Sequence, residues 1–405
     1  MLAFPENNPF KTKKLAERVY FTMALISLEQ LLEFQKHRKK NEHHWRDLHQ
    51  LYAYARANKL LEHVVEFSAF GAIASDIEAL YLQVSVLAIS DPYQMLPEQV
   101  MNIWCYLAQH SNLATVLELE SHFAPDSGFV INLTSDKKPQ SYRWFDQAIE
   151  LLALDLEPLT TLLKSHVKQL EARPEAHIAG LENTLRNSKQ PLLTQLAKTW
   201  LQTSERTEER VETKKEVDCT YSVRDIHYVA SHATEVIDEV RRQLNDQIEG
   251  VITDESTSGA CILLKKMPKH SLEPGQIVLL YENKDGAITA PKLATVRWNT
   301  NDPSGHEIHL GLKYIPGQIY PMAVNAKDNV TVDSYPRYGL LLQAISGKNE
   351  SWQIITTPGL YHEKRKLAIS FDDQSIEQPA QTGQLLMSSK HVQLFSVEIL
   401  STSSN

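Results

Sequence analysis

Two arginines four apart, Arg206 and Arg210 in Arg-Thr-Glu-Glu-Arg, and the downstream Asp254-Glu255-Ser256-Thr257-Ser258-Gly259 have residue types and spacing that can do chemistry. A guanidinium is a planar fork that bonds a phosphate, or the O6/N7 edge of guanine, through paired hydrogen bonds, and its face stacks on a base. The second segment fits D-x-S-x-x-G and falls between the apolar runs 250–253 and 260–264. Its plain structural reading is a hairpin turn, in which Asp and Ser bond their own backbone and Gly supplies a positive φ. The plain reading of the arginine pair is a solvated linker, because it sits in the charge run 203–218. There Glu205, Glu208 and Glu209 also weaken the steering of an anion. Either element alone is a weak signal. In this order, flanking one strand-rich region, the two are a stronger one.

Other constellations do not hold together. The chain has 16 histidines, and the densest group is His43, His44 and His49 with Glu42 and Asp47 on one predicted helix. His43 and Asp47 share a face while His44 and His49 diverge, so a solvated polar face is expected and no metal site is assigned. No HExxH, Gly-x-Ser-x-Gly, Walker loop or dinucleotide-binding glycine pattern occurs. Asp372-Asp373 falls in a turn, where solvation explains it. Cys105, Cys219 and Cys261 lie far apart, which argues against a disulfide framework or a structural zinc and fits a reducing compartment. Cys105, inside an apolar helix, reads as a core residue. No catalytic residue and no cofactor are assigned, and the chain reads as a binding protein, not an enzyme.

The elements that must position the two motifs differ between the halves of the chain. At roughly 100–200 residues per domain, 405 residues suggest two or three domains. A formal charge of −9 argues against broad binding to duplex DNA. The longest apolar stretch, 79–89, is too short to span a bilayer, so no membrane insertion and a cytoplasmic location are expected. Through residue 202 the chain reads helical: Leu15, Val19, Met23 and Ile26 recur on one face, as do Leu48, Leu51, Tyr52, Ala55 and Leu60. Ser90-Asp91-Pro92 separates two further helices, one short strand is predicted within 127–139, and helices follow around 144–170 and 176–203. Past the charge run the pattern becomes strand-like, interrupted only by a helical stretch at 224–246 with Ile226, Val229, Ile237 and Val240 periodic. More strands follow from 331, and the serine-rich 401–405 reads as a disordered tail. The expected fold class is α+β multidomain: an all-α helical-hairpin scaffold at 1–202, a β domain at 203–330 with an inserted helix, and a small β unit at 331–405.

Together these features resemble the PilZ domain, the small six-stranded barrel that binds the bacterial second messenger cyclic di-GMP. In that family an R-x-x-x-R segment precedes the first strand and a [D/N]-x-S-x-x-G turn follows the second. Residues 272–279 (LEPGQIVL) are similar to the family's glycine-bearing loop and strand, and 294–298 with 308–312 to the late hairpin that closes the barrel. The resemblance covers about 206–320, and a helical half joined to such a barrel is similar to a bacterial two-part family. It implies a PilZ-like β-barrel at 203–330 with cyclic di-GMP as ligand: Arg206 and Arg210 as a clamp, Asp254 accepting guanine N–H groups, Ser256 offering a hydroxyl, and Gly259 letting backbone approach the ligand. The inserted helix at 224–246 departs from the family, which keeps the motifs closer, and Arg241 and Arg242 on it match nothing in the family pattern. Since the arginine segment joins the two halves, a ligand that orders it would rearrange a helical domain that engages an unknown protein partner. The alternative is a ligand-free interaction scaffold, or a chaperone-like protein with a degenerate PilZ barrel.

Overall fold

In the helical half, apolar residues at three-to-four spacing bury one face of α1 (Pro9–Gln35), with Val19, Tyr20, Met23, Leu31 and Phe34 on it. The computed structural model describes residues 9–37, 43–65, 73–119, 128–142, 151–201, 210–232, 237–270, 272–284, 287–301, 307–327, 336–346, 349–371 and 377–400. The chain divides into two compact units, Met1–Thr207 and Glu208–Asn405.

In the first unit, α1 packs with α2 (His44–Ala57), α3 (Ile77–Ile89) and α4 (Pro97–His110). α3 is buried on every side, so its apolar character runs all round rather than along a stripe. Asp76 caps it by accepting the Ala79 N–H at 2.7 Å, and the Gln99 side chain accepts the Leu96 N–H at 2.9 Å to cap α4. The half is helical but not all-α. β1 (Thr115–Glu118), β2 (Phe129–Ile131), β3 (Gln140–Ser141) and β4 (Leu152–Asp155) form an antiparallel sheet in the order β1-β4-β2-β3. β4 occupies part of the stretch expected as helix around 144–170, and α5 begins only at Glu157 and runs to Ala172. Four buried or nearly buried residues in a row, 151–154, look alike in a strand and in a core helix, so periodicity did not separate them. The unit ends in α6 (Arg186–Leu201).

The second unit holds two closed six-stranded barrels. The first comprises β5 (Val211–Thr220), β6 (Gln247–Glu255), β7 (Gly259–Leu264), β8 (Ile277–Lys284), β9 (Ala287–Asn301) and β10 (Ile308–Tyr314), ordered β10-β7-β6-β5-β8-β9. The latter part of the charge run is therefore strand, not linker. The first half of β5 is largely solvent-facing and only 217–220 are buried, so its residues read as a charge run in the sequence. The stretch expected as one inserted helix is two, α7 (Val223–Ser231) and α8 (Ile237–Gln243). Thr220 and Gln247 are direct partners in the β5–β6 ladder, so the insertion leaves and rejoins the barrel at one point.

The expected small β unit is a complete barrel that starts earlier than residue 331. Its strands are β11 (Gln318–Ala326), β12 (Arg337–Ser346), β13 (Asn349–Thr356), β14 (Lys366–Ser370), β15 (Gln378–Ser388) and β16 (Gln393–Ile399). Its order is β11-β12-β13-β16-β15-β14. Strand for strand, this is the cyclic order of the first barrel. Ile226, Val229 and Val240 of the insertion share one apolar cluster with Leu279 and Tyr281 of the first barrel and Leu340 and Ile355 of the second, so the insertion cements the two barrels. The tail at 401–405 lies outside the described residues. Among the described residues no helix is long and apolar enough to cross a membrane.

Candidate functional site

The antiparallel pairing of β5 with β6 brings the two motifs together. Val211 lies opposite Glu255 and Glu212 opposite Asp254, so the residue just before β5 arrives beside the turn just after β6. Arg210 Nη1 donates to Asp254 Oδ1, forming an ion pair across 44 residues of sequence. Both side chains are partly buried, 28% and 29% exposed, rather than solvated in a linker. The ladder between β6 and β7 slips between Ile252 and Asp254, leaving Thr253 as a bulge. A bulge re-aims the side chains that follow it, here those of the motif. Arg206 lies outside the described residues.

The turn is closed by the Ser256 N–H donating to the Gly259 carbonyl oxygen at 2.8 Å, with Ser256 Oγ 3.4 Å from the same atom. Gly259 serves a different purpose from the expected positive φ, since its backbone is not left-handed. A Cβ there would lie 2.1 Å from the Leu312 carbonyl oxygen, so the glycine is required by the neighbouring strand β10. The Tyr314 N–H, donating to the Ser258 carbonyl oxygen at 2.8 Å, ties the turn to the end of that strand.

Beside the turn opens a cleft of ≈ 720 Å³, walled by Val211 of β5, Ser256, Lys292 of β9, Tyr314 of β10, and Pro316 and Ile319 where the chain enters the second barrel. That volume lies within the usual range for small-molecule sites, about 300–1,000 Å³. Ser256 faces it; Arg210 and Asp254 do not line it. Lys292 Nζ donates to Glu255 Oε1 at 2.7 Å, and the Tyr314 hydroxyl donates to the same oxygen. The Lys292 ammonium also stands 4.8 Å above the Tyr314 ring. Burial pushes the Glu255 carboxyl up, but the bonds from Lys292 and Tyr314 and the charges of Lys292 and Lys215 outweigh it and hold it below the ordinary carboxylate value. Burial, and then the Glu255 carboxylate, push the Tyr314 phenol well up. Glu255, Lys292 and Tyr314 escaped sequence reading. Glu255 is an unspecified position of the motif, and no spacing links it to residues on β9 and β10.

Arg241 has a structural duty. Its Nη2 donates to Asp218, whose side chain is only 4% exposed, and the Gln247 amide donates to the other Asp218 oxygen at 3.0 Å. Nearby, buried Asp225 accepts the Asn245 and Asp246 N–H groups at 3.0 and 2.8 Å. These carboxylates anchor the insertion. The histidine group disperses: His43 meets Asp136, His44 meets Glu29, and His49 is buried instead of solvated. Among the described residues no cluster has the makings of a metal site. Cys105 is half-buried rather than in the core.

Residues 3–121 match the family model described as the N-terminal domain of the cyclic-di-GMP receptor FimW. Residues 128–250 match the model described as that receptor's middle PilZ domain. The second match takes in β2 to α8 and ends within β6, so it covers both arginines and the insertion and stops just short of Asp254. It overlaps the stretch that carries the motif resemblance at 206–250. No curated protein matches the chain.

Proposed function

Because the chain belongs to the PilZ-domain family, we propose that it is a cyclic-di-GMP receptor holding its ligand at the rim of the first barrel, between the arginine segment and the D-x-S-x-x-G turn. The observation that carries this reading is the meeting of Arg210 with Asp254, which the inserted helices do not prevent. Arg206 and Arg210 grip phosphate or a guanine edge, Asp254 accepts guanine N–H groups, and Ser256 offers its hydroxyl. Gly259 keeps the turn seated on β10.

Binding requires Arg210 to exchange its carboxylate partner for the ligand. The energetics favour exchange. A partly solvated ion pair is worth about 1 kcal/mol or less, whereas charge-assisted bonds to a ligand are worth about 1.5–3 kcal/mol each. The released Asp254 is then available to guanine.

The two motifs are not repeated in the sequence of the second barrel. At the equivalent places in the second barrel, Tyr314-Ile315-Pro316-Gly317 precedes β11 and Ser346-Gly347-Lys348-Asn349 joins β12 to β13, with neither an arginine pair nor the turn motif. The arginine segment also joins Met1–Thr207 to Glu208–Asn405. A ligand that engages it acts on the connection to the helical unit, whose role is to dock a protein partner. Such coupling needs only that the ligand bind one arrangement better than another.

Calorimetric titration of the full chain with cyclic di-GMP is the test. A low-micromolar or tighter isotherm is expected, with GTP and cyclic AMP far weaker. Flat titrations at tens of micromolar protein overturn the reading.

A further inference from the structure

Lys292 is the only cation on the wall of the cleft among the described residues, and Ser256 of the motif faces the same space. A ligand that reaches Ser256 from the Arg210–Asp254 side therefore extends toward Lys292. Lys292 is already engaged, by Glu255 at 2.7 Å, and that carboxylate is held in place by the Tyr314 hydroxyl. Glu255 immediately follows Asp254, so each of the two carboxylates occupies one cation at the rim: Asp254 holds Arg210 and Glu255 holds Lys292.

We infer that Lys292 is a further ligand-contacting residue and Glu255 its built-in competitor: on binding, a phosphate of the cyclic dinucleotide replaces the Glu255 carboxylate on the Lys292 ammonium. This rests on the cyclic-di-GMP reading above. The chemistry suits the exchange. The Lys292 side chain is 44% exposed, and an ion pair in that position is weak and readily traded. Lysine offers a compact ammonium that follows a phosphate as a point charge, complementing the fixed fork of Arg210. After exchange the Glu255 carboxylate keeps the Tyr314 hydroxyl, and Lys215 remains a nearby favourable charge, so it is not left unpartnered. The cleft also supplies an apolar wall, Pro316 and Ile319, against which the dinucleotide lies as it leaves the turn.

The test is calorimetry of the full-length chain with cyclic di-GMP, comparing wild type, Lys292→Met, Glu255→Gln and Arg210→Ala, with melting temperatures taken alongside. Methionine keeps the apolar stem of lysine and removes only the charge. Glutamine keeps an oxygen for the Tyr314 hydroxyl and removes the competing charge. Lys292→Met is expected to weaken binding about tenfold, the loss of one charge-assisted bond. Glu255→Gln is expected to tighten it about threefold or more, because it frees a cation already in place. The opposite signs matter, since a merely structural pair loses affinity or stability in both variants. If wild type binds and Arg210→Ala weakens it while Lys292→Met does not, this inference falls and the receptor reading stands. It also falls if Glu255→Gln weakens binding together with Lys292→Met. If wild type itself gives no heat, both fall.

Discussion

Arg210 and Asp254, 44 residues apart in sequence, form one ion pair because β5 runs antiparallel to β6 in a register that ends with Val211 opposite Glu255. The pair makes the site self-neutralising, and it makes each residue's contribution to binding depend on the other. Arg210→Ala is expected to weaken cyclic-di-GMP binding about tenfold to a hundredfold, with a stability change of about 1 kcal/mol or less. Asp254→Ala is expected to weaken binding too, and to lower the melting temperature. The double variant should lose less affinity than the sum of the singles, since the two residues share one partner set. Wild-type affinity in Arg210→Ala would remove it from the clamp.

Arg241→Ala separates structure from binding. The variant leaves the nearly buried Asp218 carboxylate without its guanidinium, and the expected cost is about 2–3 kcal/mol in denaturant unfolding. Affinity for cyclic di-GMP, measured where the variant is folded, should be unchanged. Asp218→Asn in the same background should recover part of the stability by removing the stranded charge. A variant that unfolds at the wild-type denaturant concentration but has lost its ligand would place the site on the insertion.

Gly259→Ala tests why the motif ends in glycine. The added methyl would meet the Leu312 carbonyl oxygen at 2.1 Å, so β7 and β10 must part or shift. A loss of about 1–3 kcal/mol is expected, with faster hydrogen exchange at the amides of both strands. Wild-type melting with weakened binding would show instead that the glycine serves the ligand directly.

The first unit carries a pH liability at His49. The ring is fully buried, 0% exposed, with Nε2 2.9 Å from the Lys137 carbonyl oxygen and Nδ1 2.7 Å from the Tyr81 hydroxyl. Nε2–H therefore donates to the carbonyl, and Nδ1 accepts from the tyrosine. Burial lowers the pKa below 6.5 despite the backbone bond to Lys137 and the Asp136 charge, which raise it. Above 6.5 neither state is protonated and the full stability is present; as pH falls from there toward the lower folded value, only the unfolded chain takes up the proton and stability is lost. His49→Gln, which does not titrate, should lose less stability than wild type between about pH 7.5 and about pH 5.5 in thermal melts. Parallel pH profiles would exclude His49 as the source.

Local pattern was enough for part of this protein. D-x-S-x-x-G with an upstream arginine pair is a feature of a few linked positions, and the three-to-four spacing of Val19, Met23 and their neighbours states a helix without reference to anything distant. The α+β organisation and the family followed from these. What depended on strand register stayed hidden, because register is a relation between segments and no residue type records it. In sequence the insertion at 223–246 separates the motifs, but Thr220 stands opposite Gln247, which returns the chain to where it left. Arg241 matches no motif in the sequence, and the fold sets it beside Asp218. The strands after residue 318 could be recognised one by one, but closure into a second barrel with the first barrel's order is a property of the pairing. The Glu255–Lys292–Tyr314 cluster draws on three strands that meet only when the first barrel closes, so only the tertiary structure could place a competing carboxylate on the one cation that lines the cleft among the described residues.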